Sequence, residues 1–233
     1  MVRGFALILS RARILAAIRS NVRNHYLRAS RHDEREALAL YEWNIRLANA
    51  IMHDIAHIEV AVRNIYDATI SSSFHGQQHW LFDPDSPVVQ PLLRTRRGKN
   101  VDLNAKNRES IQNAIRRIRT DNPDSGQVIA ELPFGFWRHL TDAAHEKSLW
   151  VPHLTFAFPK GTDRKHIERL LTLINEVRNR ASHHEPLFTT ARRTQLVRAQ
   201  CGIVEIARLL LPPLAGHIQA TSTLHQVIAE RTN

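Results

Sequence analysis

Apolar residues recur along this chain at three- and four-residue steps, and strand-like alternating runs are short, so the pattern predicts a mostly helical protein. From about residue 10 to 28, Ile14, Leu15, Ile18 and Val22 form an apolar side surrounded by Arg11, Arg13, Arg19 and Arg23, which reads as a basic helix. Ser30 to Asp33 reads as a break or cap. A run from about 34 to 71 then carries a stripe through Leu40, Ile51, Ile55, Ile58, Val62 and Tyr66. No Pro or Gly interrupts it, so one continuous helix and two tightly joined ones both fit. Residues 72–100 contain Gly76, Pro84, Pro87, Pro91 and Gly98 and predict irregular structure.

Leu103 to Thr120 is expected to be a helix, with Ile111, Ala114, Ile115 and Ile118 opposite Arg108, Arg116, Arg117 and Arg119. After the turn at Asp121–Gly126, residues 127–150 predict a short helix, a break near Pro133–Gly135 and a second helix. The aromatic residues there are read as core or dimer packing rather than as platforms for bases. Thr162 or Asp163 caps the next helix, whose stripe is Ile167, Leu170, Leu171, Ile174, Val177 and Ala181. Pro186 disfavours helical geometry at Glu185, which ends that helix near His184. Leu196 to Leu211 predicts a last apolar helix ended by Pro212–Pro213, followed by a loosely attached helix or tail over about 212–233. With no internal repeat and no long linker, the expectation is one all-α domain over 1–233, with its core at about 34–211.

The densest chemistry lies at the end of the helix before Pro186. Arg178, Asn179, Arg180, His183, His184 and Glu185 place guanidinium, amide, imidazole and carboxylate groups within eight positions. At about 100° per residue, Asn179 and His183 share one row, and Arg178 sits roughly 140° round at the margin of the apolar stripe. A rigid helix thus holds an arginine beside a packed surface and a histidine on the polar side. The plain alternative is a capping histidine and a surface arginine, since an Arg-x4-His spacing is unspecific by itself. On the long helix, Glu59 and Arg63 are four residues apart and read either as an exposed ion pair or, with Asn64, as part of a polar cluster facing that motif.

Composition sharpens the functional classes. The formal charge is +10, from 32 Lys and Arg against 22 Asp and Glu, with Arg far in excess of Lys. The planar guanidinium fork matches phosphate, so RNA is a natural partner. Arg94, Arg96, Arg97 and Lys99 form a basic knot, either an RNA-contacting loop or an ordinary mobile, solvated one; Arg180 is a further RNA-binding candidate. The single cysteine, Cys201, excludes an intrachain disulfide, suits a reducing cytosol and is expected in the core. No His, Cys and Asp set shows closed metal-ligand spacing, no glycine-rich phosphate loop is present, and no cofactor is called for. No apolar segment reaches the ~20 residues needed to cross a bilayer, so a cytoplasmic protein without membrane partners is expected.

Three stretches together resemble the Abi-like (abortive infection) branch of the HEPN superfamily: Tyr41–Leu47 continuing to Glu59–Asn64, Gln127–Leu140 with its Ala130–Trp137 segment, and Val177–Pro186. They span about residues 40 to 190. The resemblance implies an all-α, HEPN-type antiparallel helical bundle, here with additional N- and C-terminal helices. It implies a homodimer with two Arg-x4-His motifs facing one cleft, and a metal-independent endoribonuclease used as a toxin in phage defence. By motif position Arg178, Asn179 and His183 carry over as the catalytic set, with His184, Glu185, Glu59, Arg63 and Asn64 as supporting groups. Ser182 stands where the family pattern favours Ala, which touches no proposed catalytic group. The alternative within the same fold is a catalytically silent RNA-binding or sensor module. An antitoxin or regulatory partner fits a toxin-like role, although no segment of the chain identifies one.

Overall fold

A computed structural model of the chain describes residues 20–96, 98–120 and 122–231, without the side chains of 20–23 and 96. Helix α1 (Ser20–Ala29) leads through a tight turn into α2 (Glu34–Ser73), a single uninterrupted helix of 40 residues. The continuous alternative therefore holds. Two local features start α2: the Asp33 carboxylate accepts hydrogen bonds from the backbone N–H of Arg35 at 2.8 Å and Glu36 at 3.1 Å, and Glu34 and Glu36 place negative charge in its first turn. Its fully buried stripe, Leu47, Ile51, Ile55, Ile58, Val62, Tyr66 and Ile70, advances by three or four residues and forms the spine of the main hydrophobic core.

The segment after α2 is irregular as expected up to about residue 92, and side-chain hydrogen bonds order it. Asp83 accepts hydrogen bonds from the backbone N–H of Gln77, Gln78 and Asp85 at 2.8, 3.1 and 2.9 Å. Buried Trp80 donates its indole N–H to Asp67 at 2.8 Å. A Cβ at Gly76 would overlap the Asp83 carboxylate and the Phe74 ring, so only glycine fits there. The basic knot then forms a hairpin of β1 (Leu93–Arg96) and β2 (Lys99–Asp102), antiparallel with Leu93 opposite Asp102, turning through Gly98 at φ 73°.

Helices α3 (Ala105–Arg117), α4 (Ser125–Glu131) and α5 (Phe134–His139) follow. A capping box between Asp124 and Gln127 starts α4, and Pro133 sets the break before α5. Phe134, Phe136 and Trp137 are buried, in keeping with their reading as packing residues. Short 3₁₀ and π turns carry the chain over Ala143–Ala157 to α6 (Arg164–Ser182), capped by Asp163 and buried along Ile167, Leu171, Ile174, Val177 and Ala181.

Helix α7 (Thr190–Leu210) packs against both α6 and α2. Its inner face takes Ala199, Ile203 and Ile206, which turns Cys201 outward; the cysteine is exposed, correcting the expectation of a core residue. Where the sequence suggested a loosely attached tail, α8 (Pro212–Thr221) and α9 (Leu224–Ala229) pack on α2 and α7. Trp43 donates its indole N–H to the Val227 carbonyl at 2.7 Å, Ser222 donates to buried Asp54 at 2.6 Å, and Arg46 pairs with Glu230 at 2.9 Å. Residues 10–19 of the basic N-terminal helix lie outside the described residues. Among those that are described, no helix is long and apolar enough to cross a membrane.

Candidate active site

The apolar face of α6 seats the helix on α2, and its C-terminal turn therefore reaches the surface at a fixed point. His183 caps the helix. His184 follows in the left-handed region at φ 53°. Its N–H bonds the Ala181 carbonyl at 3.1 Å, and the Glu185 N–H bonds the Arg180 carbonyl at 3.0 Å, the paired bonds of a Schellman ending. Glycine ordinarily occupies that left-handed position; an imidazole there carries a backbone cost of about 1–2 kcal/mol.

Asn44 of α2 fixes what comes next. It is buried, donates its amide N–H to the Glu185 carbonyl at 3.1 Å and accepts from the Leu187 N–H at 2.5 Å. These two bonds straddle Pro186 and lock the exit of the motif to the long helix. Tyr26 of α1 packs edge-on to Tyr41 at 5.5 Å and against Phe188 at 5.2 Å, closing the same corner. Asn44 lies inside the Tyr41–Leu47 stretch, which by sequence alone assigns it no role. The available signal was an amide one helical turn from Leu40 and Ala48, inside an otherwise apolar stripe.

The motif residues differ in exposure as their helical positions dictate. Asn179, His183, His184 and Glu185 are exposed. Arg178 is half-buried, its side chain 32% accessible, with Nε 3.9 Å from the Glu59 carboxylate. That Nε–H is shielded from solvent and has no hydrogen-bond acceptor among the described residues. Glu59 is thus the counter-charge of Arg178, and among the described residues no Glu59–Arg63 ion pair forms. Arg63 instead turns to Asn64 and to the Ala130 carbonyl, each at 3.4 Å. Arg180 pairs with Glu185 at 3.0 Å, which partly neutralises it as a phosphate ligand. Ser182 donates back to the Arg178 carbonyl at 2.8 Å, as a serine in a last helical turn often does.

The three separated sequence stretches therefore meet through named contacts: Glu59 with Arg178, Asn44 with Glu185 and Leu187, and Arg63 with Ala130. Of the basic knot, Arg94 is exposed on β1; Arg96 lies on β1 with its side chain outside the described residues, and Arg97 lies outside them altogether. Among the described residues, no hydrogen bond or ion pair joins the hairpin to the α6 terminus.

A half-buried guanidinium with about a third of its side chain accessible, on the same helix end as an exposed imidazole, suits an anionic ligand bearing a transferable proton. Such a pair can hold a phosphate and move a proton next to it. The family model described as Abi-like protein matches residues 4–189. No curated protein and no solved structure gives a match.

Proposed function

The chain belongs to the Abi-like protein family, and on that footing we propose that it is a HEPN-type, metal-independent endoribonuclease that serves as a toxin-like agent of abortive infection. The observation that carries this reading is the α6 terminus. There the Arg178 side chain stays partly accessible next to its Glu59 counter-charge, and His183 stands exposed on a helix end locked by Asn44.

RNA supplies its own nucleophile. The ribose 2′-oxygen attacks the adjacent phosphorus, a 2′-O–P bond forms, and the bond from phosphorus to the 5′-oxygen breaks. The products are a 2′,3′-cyclic phosphate and a 5′-hydroxyl. His183 takes the 2′-OH proton, and a second imidazole returns a proton to the leaving oxygen. In a homodimer that second group is the partner copy's motif. Arg178 binds the phosphate and stabilises the charge that grows on its oxygens. Asn179, one turn before His183 on the same row, donates to the phosphate or orients the ring. Glu59 holds the guanidinium at its post, while His184 and Glu185 border the scissile group.

The test is digestion of a synthetic RNA beside the same strand carrying one 2′-deoxynucleotide, both in EDTA. Cleavage of the RNA, with loss of cutting at the deoxy position, is the expected result. Salt-dependent binding without cutting of either strand would instead identify a silent RNA-binding module.

A further inference from the structure

We propose that His139, Asp142 and His145 form a binding site for one divalent transition-metal ion of the zinc class, apart from the α6 terminus. His139 closes α5, Asp142 caps the 3₁₀ turn after it, and His145 is the last residue of that turn. Nδ1 of His139 lies 2.8 Å from one oxygen of Asp142, and Nδ1 of His145 lies 2.7 Å from the other. The two rings are 4.8 Å apart, and one donor atom from each of the three residues falls within 4.8 Å of the others.

The far side of each ring decides what the near side offers. His145 is fully buried, and its Nε2 lies 2.8 Å from Asn104 Oδ1. The orientation of Asn104 is fixed, because its amide N–H groups donate to the Pro87 and Gln90 carbonyls at 2.9 and 2.8 Å. Oδ1 is therefore the acceptor, and Nε2 of His145 carries hydrogen. Nε2 of His139 faces the Leu103 carbonyl at 3.4 Å. With both Nε2 atoms turned to carbonyl oxygens, the two Nδ1 atoms converge on one carboxylate. A divalent cation, or protons on the rings, between these atoms completes the arrangement. One divalent ion supplies the same +2 as two added ring protons and satisfies all three donors at once. The outer hydrogen bonds are those that orient metal-ligating histidines.

The dimensions fit. Zinc bonds to nitrogen and oxygen of about 2.0–2.2 Å put tetrahedral donors roughly 3.3 Å apart, so each imidazole–carboxylate separation needs to open by about half an ångström. A cavity of about 370 Å³ borders His139 and Asp142 and is lined also by Asp102, Lys106 and Arg138; water or a small anion there completes the shell. The ion would staple the start of α3 to the turn that leads into α6, where Arg164 donates to the Thr141 carbonyl at 2.9 Å. Without it, the imidazole–carboxylate pairs keep the turn folded.

The experiment titrates chelator-treated full-length protein with zinc chloride by calorimetry and with Co²⁺ by visible absorption. Saturable binding of one ion, a Co²⁺ band of a low-coordinate nitrogen–oxygen site, and a zinc-dependent rise in Tm are expected. His139→Gln, at a partly exposed position, and Asp142→Asn should each weaken binding at least tenfold with unchanged circular dichroism; should Asp142→Asn not fold, His139→Gln alone decides. His57→Gln, in the separate imidazole group of His53, His57 and His217, should leave binding unchanged. Absence of saturable binding, full affinity in His139→Gln, or loss in His57→Gln overturns the site. RNA cleavage is not read, so the result is independent of the ribonuclease reading.

Discussion

Asn44 and His184 show how much the candidate site depends on single side chains. Replacing Asn44 with Ala leaves the buried Leu187 N–H and the Glu185 carbonyl without partners, at a cost of about 2 kcal/mol. The expected drop in Tm by calorimetry is about 4–8 °C, and RNA cleavage should fall with it because the motif loses its anchor. His184→Gly relieves the left-handed backbone and should raise stability by about 1 kcal/mol in denaturant unfolding. An unchanged midpoint would mean the imidazole earns its place through contacts with the chain rather than through function. The motif itself was legible in the sequence, since the α6 stripe and Pro186 fix which residues emerge at the surface. The roles of Glu59 and Asn44 were not, because both depend on which rung of α2 faces α6. Cys201 was misplaced because a mostly apolar run hides which of its positions turns outward.

At the scale of elements, helices with long periodic stripes were readable, and their caps at Asp33, Asp124 and Asp163 follow from side-chain chemistry. The segment between α2 and α3 was readable only as irregular, because its order comes from one carboxylate and one indole rather than from periodicity. Hydrogen bonds from the Gln78, Asp85 and Gln77 backbone hold the Asp83 carboxyl below the usual carboxylate range. A depressed folded-state pKa adds stability above the unfolded value of about 3.9, and that contribution is lost as pH falls through the folded value. Asp83→Asn should therefore be less stable than the parent at pH 7, and the gap should narrow below about pH 3.9 in thermal unfolding. A gap that stays constant down to pH 2 contradicts this account of the loop. The His139–Asp142–His145 group escaped sequence reading for a related reason: its spacing crosses a helix end and a 3₁₀ turn, so no single periodicity brings the donors together.

At the scale of the molecule, the charge of +10 and the closed packing of α8 and α9 on α2 define the protein. The charge was plain in the composition; the closure was not, because it rests on Trp43, Asp54 and Arg46 meeting residues more than 160 positions away. Binding of single-stranded RNA should weaken linearly in log–log form as salt rises, and Arg94→Ala should flatten the slope by about 0.7 if that exposed arginine touches phosphate. An unaltered slope places the hairpin off the RNA path. The measurement that bears most directly on the central claim is cleavage of RNA in EDTA by the parent and by folded His183→Ala and Arg178→Ala proteins, with the new ends identified. The parent should leave 2′,3′-cyclic phosphates, and each variant should be slower by roughly 10²- to 10⁴-fold. Equal cutting by the His183→Ala variant would contradict the account.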